Sequence, residues 1–141
     1  MTQDINHKDL MLAVVAGFKS GKLETLFEAI RADVVWKVMA PREYFRFGGV
    51  YQGVAGVKEY TALLFCDYHF ARLRPLAVAA KDDEVWGVFD AEALHRPSGR
   101  YVQSNISLYW RMQDGQIAEQ QMFFDTAGVL MQQGDLAVEA A

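Results

Sequence analysis

Residues 101–128, YVQSNISLYWRMQDGQIAEQQMFFDTAG, set two runs of strand-forming residues on either side of the dipeptide Asp114-Gly115. Asp-Gly between such runs is what a two-residue hairpin asks for, because both turn positions need a positive φ. The turn also fixes which residues oppose one another, and it predicts Met112 facing Ile117. Counting outward, one face carries Ser104, Ile106, Leu108, Trp110, Glu119, Gln121, Phe123 and Asp125, and the other carries Asn105, Ser107, Tyr109, Arg111, Gln120, Met122 and Phe124. Large apolar groups lie on both faces, so both need cover. Helices supply one cover, and a second copy of the chain is the expected supplier of the other. A bulge in either strand would exchange the two faces beyond it.

Upstream of the hairpin the same strand pattern continues. Residues 70–80 and 84–95 read as strands, with turns at residues 81–83 and 96–99. The first third reads differently. Asn6 can cap a helix with Asp9 in its first turn, and Leu10, Met11, Val14, Val15 and Phe18 then form one apolar stripe. A second helix is predicted over residues 22–32, with Leu23, Leu26, Phe27 and Ile30 on its apolar side. Residues 34–39 are β-branched and strand-like. A glycine-punctuated loop over residues 47–56 then opens a third helix, whose buried positions would be Val57, Thr61, Leu64, Phe65 and Tyr68. Helices gathered at the front and an antiparallel meander behind predict an α+β fold, with three helices packed on one face of a strongly curved sheet. Residues 1–134 are expected to form a single domain, and residues 135–141 a loosely attached tail.

Composition narrows the partners. A chain of 141 residues, 52% hydrophobic with nine Phe, six Tyr and three Trp, can close a core without disulfides or metals. The net charge of −4 comes without a Lys/Arg run, so the field that draws proteins to nucleic acid or to anionic membranes is missing. One cysteine, Cys66, precludes an intrachain disulfide and fits a reducing compartment, making the cytoplasm the default location. Neither a signal peptide nor a membrane anchor is read at the start of the chain.

In their order, the segments ADVVWKV (32–38), GVYQGVAGVKEY (49–60), SGRYVQ (98–103), DGQIAEQ (114–120) and FFDTAGVLMQQG (123–134) resemble the nuclear transport factor 2-like superfamily. The SnoaL-like and ketosteroid isomerase-related proteins are its nearest branches. The resemblance implies a cone-shaped α+β barrel of cystatin-like type. It also implies a deep apolar pocket between helices and concave sheet, and a homodimer through the outer sheet face. It places the acid/base Asp of the SnoaL-like cyclases on Asp125. The ketosteroid isomerases keep their base near the end of the first strand, where this chain reads Trp36-Lys37-Val38, and an oxyanion-hole Tyr on the first helix, which here has none.

Asp125 ends the last strand, on the same predicted face as Phe123 and Ile106. A carboxyl buried among aromatics has a raised pKa and can exchange protons with a carbon acid near neutral pH. The alternative is that Asp125 caps the short helix that follows, which would lower its pKa instead. Candidates for the pocket wall are Trp36, Tyr44, Tyr51, Tyr60, His69, Leu108, Trp110, Gln121 and Phe123, with Gln121 predicted beside Asp125 as a neutral hydrogen-bonding group. Glu92 lies on a strand whose facing is open. His7, His69, His95 and Cys66 show no ligand spacing, so neither metal nor cofactor is expected. Gly48, Gly49, Gly53 and Gly56 do not follow a phosphate-loop pattern, and Cys66 reads as a buried, inert thiol. Two functions stay open. One is a lyase, isomerase or cyclase acting on an apolar carbonyl compound; the other is a binding or dimerisation module without turnover.

Overall fold

The computed structural model describes residues 6–135, so the predicted tail lies almost wholly outside the described residues. The elements run α1 (His7–Ser20), α2 (Glu24–Ala29), β1 (Ile30–Val38), β2 (Gly49–Gln52), α3 (Gly53–Asp67), β3 (Tyr68–Lys81), β4 (Glu84–His95), β5 (Arg100–Gln113), β6 (Gln116–Phe124) and α4 (Thr126–Gln133). The six strands form one sheet in the order β2-β1-β6-β5-β4-β3. Neighbours are antiparallel except β1 and β6, which run parallel. The sheet curls around α1 and α3, giving the α+β fold that the order of elements predicts and the cone that the resemblance implies.

Local chemistry sets the element ends. The Asn6 side chain accepts from the Lys8 and Asp9 backbone N–H groups, relieving two of the unsatisfied donors at the start of α1. Gly21, at φ 77°, closes that helix in the left-handed conformation. The second helix stops three residues short of its predicted end, because Ile30 turns extended and joins β6 through Ile117. Strand pairing there overrides a helical periodicity that Ile30 had fitted. The glycine-rich loop also contains order that its composition hides: residues 49–52 form β2 against β1. Tyr68, expected on the third helix, is instead buried as the first residue of β3.

The hairpin holds Asp114 at φ 52° and Gly115 at φ 75°, with Gln113 opposite Gln116 and Met112 opposite Ile117. One step further the register shifts, and Arg111 faces Glu119. Ala118 is the extra residue of a bulge, and Ile117 and Ala118 are consecutively buried. Beyond it, Trp110 opposes Gln120, Leu108 opposes Met122 and Ile106 opposes Phe124. The concave face of β6 is therefore Gln120, Met122 and Phe124, while Glu119, Gln121 and Phe123 lie on the outside, the reverse of the predicted assignment for this strand.

The core fills the space between the helices and the concave face. Along β4, Val85, Phe89, Ala91 and Ala93 alternate inward. Gly87 in the same row has no side chain for a reason, since a Cβ there would stand 2.7 Å from Met11 Sδ and 2.6 Å from the Phe89 ring. A larger residue there would have to displace Met11 and the Phe89 ring.

Candidate functional site: a two-chambered apolar cavity

Inside the cone lie two small chambers. The first, about 50 Å³, is lined by Phe45 and Phe47 of the loop before β2, Tyr68, Ala91, Ala93, Val102, Ser104, Phe124 and Val129. The second, about 40 Å³, is lined by Val14, Val15 and Phe18 of α1 with Trp36, Tyr60, Leu73, Phe89, Leu108, Trp110 and Gln120. Leu64, Phe70, Ile106 and Met122 border both and form the partition. Each chamber exceeds several-fold the roughly 10–15 Å³ that one water requires.

The elements place the polar groups of the second chamber by simple periodicities. Trp36 sits between Val34 and Val38 on β1, and all three point inward. Tyr60 and Leu64 share a face of α3 one turn apart. Gln120 enters from β6 because the bulge turns it inward. Its Oε1 accepts from Trp110 Nε1 at 2.8 Å, and because an indole can only donate, this contact fixes which end of the amide faces the tryptophan. Tyr60 is wholly buried and its hydroxyl has only a thioether to donate to, Met122 Sδ at 3.6 Å. Burial pushes its pKa well above the ordinary tyrosine value, the neighbouring Tyr51 adds to the rise, and the Trp36 indole opposes it. Trp36 Nε1 is buried and makes no well-formed hydrogen bond, leaning only toward the Tyr60 hydroxyl oxygen.

In the first chamber, burial likewise raises the Tyr68 hydroxyl, which donates to Gln133 Oε1 at 2.7 Å. The Ser104 hydroxyl donates to the Asn105 carbonyl. Neither chamber is lined by a carboxylate, imidazole, ammonium, guanidinium or thiol among the described residues.

The structure brings Trp36, Tyr60, Leu108 and Trp110 together around one chamber. The other sequence candidates lie elsewhere. Asp125 is exposed and caps α4, its Oδ1 accepting from the Gly128 N–H at 3.0 Å, so the expected burial among aromatics is corrected to the capping arrangement. Gln121 lies on the outer face and donates to Glu119, and Phe123 is 41% exposed on that same face. Both were displaced by the Ala118 bulge. Tyr44 is 55% exposed and His69 points to solvent. Tyr51 is buried behind Tyr60, its hydroxyl donating to the Gly48 carbonyl at 3.3 Å, and lines neither chamber. Glu92 faces outward, bonded to Gln103 and paired with Arg72. Cys66 is exposed rather than buried, with Arg46 Nη2 donating to its sulfur at 3.1 Å.

Sequence reasoning missed Gln120, Met122 and Phe124, whose inward facing depends on one extra residue in β6. The signal was the Ile117-Ala118 pair, two apolar neighbours interrupting an otherwise alternating strand. It also missed Phe45 and Phe47, which reach the cavity from an irregular loop without periodicity. Among the described residues, no group of three or more His, Cys, Asp or Glu side chains is arranged to hold a metal ion, and no helix is long and apolar enough to cross a membrane.

Residues 11–120 match the SnoaL-like domain family. No curated protein matches the chain. Among solved structures, a nuclear transport factor 2-like protein of unknown function from Burkholderia pseudomallei superposes with a TM-score of 0.79 at 18% identity, covering 92% of this chain and 98% of that one. TerC, co-crystallised with polyporic acid, is 24% identical with a TM-score of 0.75, covering 89% and 96%. IdmH of Streptomyces antibioticus, a proposed polyketide cyclase, is 20% identical with a TM-score of 0.73, covering 92% and 99%. At these identities the likeness is one of fold.

Proposed function

Because the chain belongs to the SnoaL-like domain family of the nuclear transport factor 2-like superfamily, we propose that it takes an apolar small molecule bearing carbonyl groups into the two-chambered cavity and promotes a cyclase- or isomerase-type rearrangement of it. The observation that carries this reading is the lining: aromatic and aliphatic walls with a few neutral hydrogen-bonding groups and no ion. A charged ligand would be buried there without compensation, whereas a neutral one with polarised oxygens meets donors. The proposed polyketide cyclase among the similar structures supports the same class.

The chemistry that suits such a site needs little acid/base power from the protein. If the compound enters as its enol, the enol proton passes to the accepting carbonyl oxygen as the carbon–carbon bond forms, so no external base is needed, and a shaped cavity that excludes water holds the reacting carbons together. Donors aimed at a carbonyl oxygen lower the barrier further as charge develops on it. Asp125 takes no part in this scheme. The test is conversion of a panel of monocyclic aromatic and aliphatic ketones by the wild-type chain and by Asp125→Asn. Turnover within about twofold of wild type is expected, and a fall below one tenth would restore the carboxylate and overturn the scheme. A second reading, binding without turnover, draws on the same absence of carboxylates, imidazoles and other ions from the lining; it predicts saturable binding of those ketones with no product.

The outer sheet face supports a homodimer in the same proposal. Trp86, Tyr109, Gln121 and Lys37 form one row across four strands, and Trp86 and Phe123 are each about two-fifths exposed. Sedimentation equilibrium at micromolar concentration is expected to show a dimer, and Phe123→Asp a monomer that keeps its circular dichroism. A monomeric wild type would refute it.

A further inference from the structure

The concave sheet face changes texture along its length. At one end the inward pairs of β4 and β5 are bulky, with Val85 opposite Trp110 and Phe89 opposite Ile106. Further on, Ala91 opposes Ser104 and Ala93 opposes Val102, so four short side chains floor the first chamber. Phe45, Phe47, Tyr68 and Phe124 also line it, large rings that would close the gap if they could drop toward that floor. They are braced against one another instead. Phe45 meets Phe124 edge-on with centroids 5.2 Å apart, and Phe47 meets Tyr68 edge-on at 5.6 Å. The loop carrying Phe45 and Phe47 is pinned as well, Arg42 Nε donating to the Gly48 carbonyl at 2.7 Å and Arg46 Nε to the Asp67 carboxylate at 2.9 Å. A stiff rim over a low floor keeps the space open, and the empty protein forgoes the dispersion contacts that would fill it.

Two hydroxyls border this chamber, and both protons are engaged away from it. Ser104 donates to the Asn105 carbonyl at 3.1 Å and Tyr68 to Gln133 Oε1 at 2.7 Å. A heteroatom brought into the chamber gives up water without gaining a partner, whereas a bare hydrocarbon gives up nothing of the kind. The volume of about 50 Å³ corresponds to roughly three to five water-sized bodies, the scale of one ring or a short branched chain. We infer that the first chamber is a separate subsite for a heteroatom-free hydrocarbon group of that size, and that Ala91 and Ala93 set its depth. The inference rests on the reading of the cavity as a ligand site and adds how the two chambers divide the ligand: its polar atoms are left to the second, whose wall includes Tyr60 and Gln120.

Methyl groups report which chamber a probe enters, because Val102 and Val129 line only the first and Val14, Val15 and Leu108 only the second. Benzene carries no heteroatom and shifts nearby methyl signals through its ring current; phenol has nearly the same shape and adds one hydroxyl. In carbon–proton spectra of the wild type, benzene is expected to move the Val102 and Val129 methyls saturably. Phenol is expected to need about tenfold more for the same shift, the cost of burying an unpaired hydroxyl. Ala93→Leu, which fills the floor, is expected to abolish the benzene shifts at Val102 and Val129 and to spare any at Val14, Val15 and Leu108. Ala91→Val adds less bulk and is expected to weaken benzene severalfold there, so the test survives a misfolded Ala93→Leu. Phenol moving Val102 and Val129 as readily as benzene overturns the subsite, as does a folded Ala93→Leu that keeps the benzene response. Benzene moving only Val14, Val15 and Leu108 also overturns it, while the cavity stands as a ligand site. If neither probe moves any of these methyls up to its solubility, the subsite and the ligand-site reading fall together.

Discussion

Asp125 shows how closely two roles for one carboxylate can resemble each other in sequence. The residue precedes a short apolar helix and follows two phenylalanines, which suits either a buried acid or a cap. The structure gives it to the cap: Gly128 N–H lies 3.0 Å from Oδ1, and any Cβ at residue 128 would come within 2.3 Å of the carboxylate. Asp125→Ala should therefore cost about 1 kcal/mol in urea unfolding and Asp125→Asn much less. Gly128→Ala should push the cap away, so that its cost and that of Asp125→Ala overlap in the double variant rather than add. At the outer face, the Tyr109 hydroxyl donates to Glu84 Oε2 at 2.6 Å, and that bond to a carboxylate raises its pKa to about 12. A raised folded-state pKa means the folded chain holds the proton longer than the unfolded one. The corresponding stability is complete below about pH 10 and is lost as pH climbs toward 12. The urea midpoint followed over that window should fall less steeply in Tyr109→Phe.

At the scale of elements, the cap of α1, the four long strands and the Asp114-Gly115 register were all legible, because each rests on chemistry confined to a few neighbouring residues. What escaped the sequence depended on contacts between distant segments. Ile30 leaves a helical pattern only because β6 offers it Ile117, and residues 49–52 become β2 only because β1 lies alongside. The facing of β6 failed for a third reason: strand periodicity is two, so one inserted residue reverses every side chain beyond it. The candidate site inherited that error through Gln121 and Phe123, whereas Leu108 and Trp110 lie on the unbulged strand of the hairpin, Tyr60 on an uninterrupted helix, and Trp36 past the point where β1 shifts register against β6. Deleting Ala118 should drive Gln120, Met122 and Phe124 to the outside together. The expected result is loss of near-ultraviolet dichroism and of cooperative urea unfolding; a cooperatively folded deletion variant would show that the bulge is dispensable.

For the molecule as a whole, the cavity's partition governs both stability and capacity. Leu64, Phe70, Ile106 and Met122 separate the chambers, and Met122 is the unbranched, adaptable member of the four. Met122→Ala should destabilise the fold by about 2–5 kcal/mol, yet join the chambers and admit two-ring hydrocarbons that the wild type holds weakly. Paired measurement of the urea midpoint and of naphthalene affinity checks this, with stability expected to fall as affinity rises. Unchanged affinity would mean that the rest of the partition collapses into the space.

The parallel pairing of β1 with β6 carries a consequence for biosynthesis. β1 is made before the intervening strands and β6 after them, so this junction of the sheet cannot zip until β2 to β5 have all been synthesised. Until then β1 has only the four-residue β2 to hold, and its other margin offers bare amides and carbonyls to any strand that drifts past. A newborn chain of this kind has reason to depend on holdase chaperones during translation, although in the folded protein β6 pairs with that margin.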